Sequence, residues 1–520
     1  MTAKFFRRLL ALTLLLSLIA GSACAISGEN SLTLGIISVS TQFMNPLIPV
    51  EREFMSMASL VYEGLVSLDD DYLPIPNLCE SWEASSGGGT WYFHLRDGIT
   101  FHDGTPLTAH DVVATAKTIL QLADNPSGGN AGAYASLKYF ITDISANDNL
   151  TVVVKTNRAN FGFLYAMNFP ILPAAQVQAE NPVGTGPYVV SQFIPKDFLL
   201  LEANTAWWKG HVAMENIMTI FHATNRYLIS SFEYNRVDAV ATRSLTAAQY
   251  RSGVSSLNMS YRTTQLETLM MNNRSRELKD VNVRKAIRYA VNIPDILAST
   301  YMDMAQRSDM PVIPGSWMYY DMPEFFQYDP QKAKALLDEA GWRDSDEDGI
   351  RDTVIDGEKA NLVLRFLVYE EQDNSVRTLA ANKIANMLEG IGVKCNISLL
   401  SFSDAGERLK AGSFDLALAA FNMDTTPDPG FLLMTNNTAN YARYSSERMD
   451  GLFTALRKSM SREEYQQNLH GIQALFAEDC PFMSLYYRKG AVLTRKMFTN
   501  VRDLREPEVL RGIAEGLESR

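Results

Sequence analysis

Residues 362–369 read "LVLRFLVY", a nearly unbroken apolar run, as in a strand covered on both faces. Residues 376–392, "VRTLAANKIANMLEGIG", come next. Val376, Leu379, Ala380, Ile384, Met387, Leu388 and Ile391 recur there at helical spacing on one face, and Gly390 and Gly392 supply the stop. In residues 393–399, "VKCNISL", Val393, Cys395, Ile397 and Leu399 alternate with polar neighbours, a period of two. Residues 414–421, "FDLALAAF", form a further apolar strand. Strand–helix–strand units build parallel sheets with helices packed across them, so the fold class is α/β. Ligands of open α/β sheets sit beyond the carboxyl ends of the strands. The first strand runs into Glu370 and Glu371 and the last into Asn422, Met423 and Asp424, so parallel strands would present acid at one edge.

Upstream, "DPQKAKALLDEAG" (329–341) predicts a helix. Asp329 caps it, Pro330 takes the first turn, Gly341 ends it, and Ala333, Leu336, Leu337 and Ala340 form its buried stripe. Gly341 opens "GWRDSDEDGIRD" (341–352), in which Asp344, Asp346 and Asp348 run into Gly349 like the first half of a calcium loop. That motif requires a bidentate Glu at its twelfth position and a second helix. The twelfth position is Ile355, and "TVIDGEKANLVL" passes through a glycine turn into a strand. The stretch therefore reads as a surface connection whose Asp side chains bond their own backbone, with no metal expected.

At about 150 residues per domain, 520 residues make two to four domains. The first 25 residues carry Lys4, Arg7 and Arg8, an apolar run from Leu9 to Ala20 and then small residues, the layout of a secretory signal. The run falls short of the roughly 20 residues that span a bilayer. Cleavage after Ala25 competes with a lipobox-like reading of Gly21–Cys24 that leaves Cys24 lipidated. Both routes place the protein outside the cytoplasm. Without residues 1–25, which hold three bases and no acid, 44 basic side chains face 59 acidic ones, a formal charge of −15. Such a surface argues against nucleic acid and anionic lipid as partners. Cys79, Cys395 and Cys480 allow at most one disulfide: Cys395 pairs with Cys480, or all three are buried thiols. No HExxH, GxSxG or GxxxxGK[ST] motif occurs, and six scattered histidines suggest surface or locally bonded side chains. No catalytic residue, metal or cofactor is expected.

Residues 72–120 contain "ESWE" followed by "WYFHLRDGITFHDGTPLTAHDVV". Trp91, Phe93 and Leu95 alternate on one strand face, Asp97-Gly98 and Asp103-Gly104 are turn dipeptides, and Thr108 with Asp111 caps the helix that begins near Ala109. The string closely resembles the extracytoplasmic solute-binding proteins of family 5, the peptide- and nickel-type receptors of ABC importers. "NPVGTGPYVV" (181–190), "LKDVNVRKAIRYAVN" (278–292) and "YDPQKAKALLDEAGWRDSDEDGIRD" (328–352) match further landmarks in the family's order, so the resemblance spans essentially the whole mature chain.

The resemblance implies a periplasmic-binding-protein-like fold of type II, cluster C-like: two α/β lobes around a cleft plus an extra domain. Its landmarks place lobe one at 32–53, 184–267 and 487–520, the extra domain at 54–183 and lobe two at 268–486. It implies a monomer that binds a small peptide or peptide-like solute and hands it to ABC permease subunits. A sensory or signal-peptide receptor on the same fold and a nickel-complex binder are the alternatives. A secreted hydrolase is disfavoured by the missing nucleophile–base pattern. "AFNMDTTPDPGF" (420–431) resembles the segment where peptide receptors hold an Asp for the ligand's α-ammonium; Phe421 falls where they have Trp and Asp424 falls on the Asp. Asp428, between Pro427 and Pro429, is the second choice, and Asn422, Glu370 and Glu371 complete the candidate set. The chain departs from dipeptide receptors where they carry an Arg for the ligand carboxylate, because it reads "EEQDNS" there. Arg377 lies beyond, on the predicted helix, and is expected at the surface. A longer peptide held through its backbone, or a cationic solute, fits that departure.

Overall fold

The computed structural model describes residues 30–48, 51–124, 134–157, 160–253, 256–355, 357–371, 375–423, 425–495 and 504–512. Cys24 and the secretory segment lie outside them, as does Asp424. Among the described residues one sheet of eleven strands runs through the molecule. Its strands are β1 (Ser31–Ile37), β2 (Tyr188–Ile194), β3 (Phe198–Ala203), β4 (Asn216–His222), β5 (Ala239–Thr242), β6 (Leu257–Met271), β7 (Ala305–Arg307), β8 (Val363–Tyr369), β9 (Lys394–Leu400), β10 (Leu416–Asn422) and β11 (Phe482–Thr494). The spatial order is β9-β8-β10-β6-β11-β5-β1-β4-β3-β2, with β7 paired to β11. The long strands β6 and β11 join the two halves by pairing antiparallel to each other, with register shifts around Arg262–Leu266 and at Glu267/Thr268.

The strand–helix–strand unit forms as its periodicity predicts. β8 pairs parallel to both β9 and β10, so their carboxyl ends share one edge. The connecting helix, Val376–Glu389, buries Val376, Ala380, Ile384 and Leu388. Two expectations fail there. Leu379 is half exposed, and Arg377, expected at the surface, has no exposed area. The buried face extends toward Arg377, Ala381 and Ala385 instead, because a charged partner lies beneath Arg377. β9 lies at one edge of the sheet. Its alternation accordingly fades outward, from fully buried Val393 to exposed Leu399.

A four-stranded antiparallel sheet takes up Cys79–Ala84, Thr90–Leu95, Thr151–Thr156 and Ile141–Ala146 in that spatial order. Trp91, Phe93 and Leu95 point into its core. Thr108 donates to Asp111 through both its backbone N–H and its hydroxyl, at 2.8 Å each, at the start of the Ala109–Asp124 helix. The 181–190 landmark is equally structural. A Cβ on Gly184 would sit 1.9 Å from the Val61 carbonyl oxygen, and Gly186 donates to that oxygen. His102 is bonded to the same backbone, its Nδ1 receiving the Gly184 N–H.

In the acidic loop, Asp344 accepts from the Asp348 and Gly349 N–H groups and Asp348 from that of Ile350, while Asp346 pairs with Lys359. A hairpin, Asp352–Ile355 with Glu358–Asn361, follows in place of a helix. Carboxylate oxygens of Asp344, Asp346 and Asp348 lie within 4.8 Å of one another, all exposed. Their hydrogen bonds already satisfy the turn, so a calcium chelator is expected to leave the melting temperature unmoved. A drop that calcium restores would show this reading to be wrong. Cys79, Cys395 and Cys480 are free thiols.

Candidate functional site

The crossing strands carry a buried ion network. Glu267 on β6 stands opposite Tyr486 on β11, beside the register shift, and has no exposed area. Arg377 donates from Nη2 to Glu267 Oε1 at 2.8 Å, and its Nη1 lies 2.7 Å from Oε2. Arg488 Nε lies 2.8 Å from Oε1. These last two are close ion contacts whose angles fall outside hydrogen bonding. Gln265 donates to Oε1 at 3.0 Å. Glu371 closes the ring, accepting from Arg377 Nη2 at 3.2 Å and Arg488 Nη2 at 2.6 Å. The Arg377 guanidinium stacks 3.9 Å from the Tyr369 ring centroid. Burial alone would raise the Glu267 carboxyl, but the two guanidinium groups outweigh it and hold the carboxyl below its usual range. Two Arg and two Glu make the network neutral.

A cavity of about 490 Å³ opens elsewhere in the molecule. Part of its wall is a polar cluster around Glu63, which accepts from Trp208 Nε1 at 2.9 Å and Thr185 Oγ1 at 3.1 Å and lies 3.6 Å from Lys209 Nζ. Burial raises the Glu63 carboxyl, with Lys209 working against it. Arg96, also on the wall, donates from Nε to the Asn77 carbonyl and lies 5.1 Å over Trp208. A second part of the wall holds Thr425, Arg505, Glu506 and Arg511. Glu506 is held by Arg243 Nε at 2.7 Å and receives the Thr264 N–H. Arg505 and Arg511 both donate to the Leu68 carbonyl, at 2.9 and 2.8 Å. Three buried wall residues leave a polar atom without a hydrogen-bond partner: Asn77 Oδ1, Trp207 Nε1 and Arg505 Nη1.

The candidate residues read from the sequence fall in different places. Glu371 is spent on Arg377 and Arg488. Asp428 pairs with Arg457 at 2.7 Å and accepts the Gly430 N–H at 2.9 Å, as a turn residue does. Phe421 stacks on Tyr441 at 6.1 Å between centroids and meets Phe431 edge-on. Asn422 and Glu370 are exposed at the ends of β10 and β8. None of these lines the cavity, whereas Thr425, the residue after Asp424, does. Sequence reasoning missed Glu63, Asn77 and Arg505. Glu63 and Asn77 lie more than 400 positions before Arg505 in the chain, with no periodicity to link them.

A model of the family described as bacterial extracellular solute-binding proteins, family 5 Middle, matches residues 74–443. The oligopeptide-binding protein AppA of Bacillus subtilis is 25% identical over 484 residues, covering 88% of this chain and 86% of its own. The crystal structure of AppA from Bacillus subtilis in complex with a nonapeptide superposes with a TM-score of 0.68 at 21% identity, over 94% of this chain and 99% of the other. That of NikA from Brucella suis in complex with Fe(III)-EDTA gives 0.78 at 19% identity, over 94% and 100%. The two-lobed, periplasmic-binding-protein-like α/β fold expected from the sequence is thereby shown.

Proposed function

The chain belongs to the bacterial extracellular solute-binding proteins of family 5, and from that premise we propose that it captures a peptide-like solute outside the cytoplasm and delivers it to the permease of an ABC importer. The carrying observation is the cavity whose wall includes Thr425, next to the candidate amine-binding Asp424. Similarity to an oligopeptide-binding protein over most of both chains supports the solute class. The protein performs no reaction on its ligand. It acts as a monomer, tethered through a lipidated Cys24 or released after Ala25.

Lobe closure accompanies capture. The chain crosses between the proposed lobes near 267–268 and 486–487, where β6 and β11 pair across a register shift, and such element positions absorb backbone change. A mixed-length synthetic peptide library added to the mature protein is expected to reduce its radius of gyration in small-angle scattering, and peptides are expected in mass spectra of gently purified protein. An unchanged radius at saturation counts against closure. A nickel chelate as the sole co-purifying solute would favour the second reading, which a 29% identity over 318 residues to the nickel-binding periplasmic protein of Escherichia coli supports.

A further inference from the structure

The wall of the cavity contains a buried cation that forms no ion pair among the described residues. Arg505 is 3% exposed. Its Nη2 donates to the Leu68 carbonyl, its guanidinium lies 4.2 Å from the Tyr72 ring centroid, and its Nη1 has no partner. No carboxylate among the described residues forms an ion pair with it. The adjacent Glu506 is engaged by Arg243, Arg52 and the Thr264 N–H. Asp70 is taken by Arg511 at 3.2 Å, and Asp69 accepts the Asp71 and Leu73 N–H groups. Arg262 stacks 4.9 Å over the same Tyr72 ring. A buried guanidinium without an anion is costly, and folded proteins pair such groups or keep them for a ligand. Arg377, the cation nearest to the "EEQDNS" segment, is already neutralised by Glu267 and Glu371 and cannot serve a ligand.

We propose that Arg505 is the anion receptor of the cavity and pairs with the C-terminal carboxylate of the bound peptide. The assignment rests on the peptide reading above and deepens it: the solute is zwitterionic rather than purely cationic. Arg suits the task, since its planar fork can keep one nitrogen on Leu68 while another meets a carboxylate oxygen.

The test uses the mature protein and two mixed-length synthetic peptide libraries of the same sequences, one of free acids and one of C-terminal amides, with retention measured by equilibrium dialysis and mass spectrometry. The wild type is expected to retain the acids over the amides by about 30-fold or more, the scale of a desolvated charge pair. R505Q is expected to abolish that preference while retaining the amides as the wild type does, and R505K to keep part of it. A merely structural Arg505 would lower both libraries together and leave their ratio unchanged, which overturns the proposal. Equal retention of acids and amides by the wild type also overturns it while sparing the peptide reading. Retention of neither library overturns both. If R505Q does not fold, R505K decides: a reduced ratio supports the assignment and an unchanged one overturns it.

Discussion

Replacing Arg377 with methionine is expected to destabilise the protein by about 3–5 kcal/mol, the loss typical of breaking a buried pair by removing one partner. Glu267 and Arg377 have no exposed area, so water cannot take over the abandoned carboxylate. What remains is two carboxylates around the single guanidinium of Arg488, a buried net charge where the wild type has none. The double replacement Glu267→Leu with Arg377→Met leaves Glu371 and Arg488 as a neutral pair and is expected to be more stable than the single mutant. The pH dependence gives a second check. In the wild type the folded Glu267 pKa is depressed, so its stabilisation is present above the unfolded pKa and is lost as pH falls through the folded value. In the mutant the carboxyl loses its main partner and its folded pKa moves up, so protonation favours the folded state. The gap between mutant and wild type in denaturant titrations should therefore narrow on acidification below about pH 5. A gap that is constant with pH, or a double mutant no better than the single, would show that Arg377 acts through packing alone.

Arg377 also shows what was legible in the sequence and why. The strand–helix–strand unit could be read because apolar period alone sets which faces are buried, and β8, the following helix and β10 form where that period places them. The same rule sends an arginine outward. Only a long-range partner, Glu267, 110 positions away, reverses it, and no local pattern reports that pairing. One local hint existed: an arginine in the first turn of a helix opposes the helix dipole and invites a carboxylate nearby. The acidic loop was legible because Asp–backbone bonding is local and because the missing twelfth ligand is visible in one line of sequence. The cavity was not. Its wall joins Glu63, Asn77, Thr425 and Arg505, brought together by the crossing strands and the carboxy-terminal segment. Similarity pointed to Asp424, which lies outside the described residues, and the wall itself follows from topology that sequence does not spell out.

Asp424→Ala is expected to weaken peptide binding by roughly 30- to 3,000-fold, the equivalent of about 2–5 kcal/mol at ~1.4 kcal/mol per tenfold. Three observations motivate the size. β10 and β8 run parallel, so residues just past β10 lie at the edge where such sheets bind ligands. Met423 is anchored, its N–H on the Thr264 carbonyl, and Thr425 lines the cavity, so the two neighbours of this position are a fixed strand end and a wall residue. Asp424 itself lies outside the described residues, and its assignment to the ligand's α-amine follows the resemblance of "AFNMDTTPDPGF" to the peptide receptors. Closure of the lobes would shield the pair from water, and truncating one partner of a shielded pair leaves the other charge uncompensated. An Asp that only closes a turn at the surface would give well under tenfold, since exposed pairs contribute about 0–1 kcal/mol. The two ranges do not overlap, so calorimetry on Asp424→Ala, with the fold checked by circular dichroism, separates them. N-acetylated peptides bring a second discrimination: they should bind the wild type as weakly as free peptides bind the mutant, and acetylation should cost the mutant little more. Equal binding of acetylated and free peptides by the wild type would remove the amine from the assignment. Near-native affinity in a folded mutant would instead move the search to Glu63, a buried carboxylate of the cavity wall.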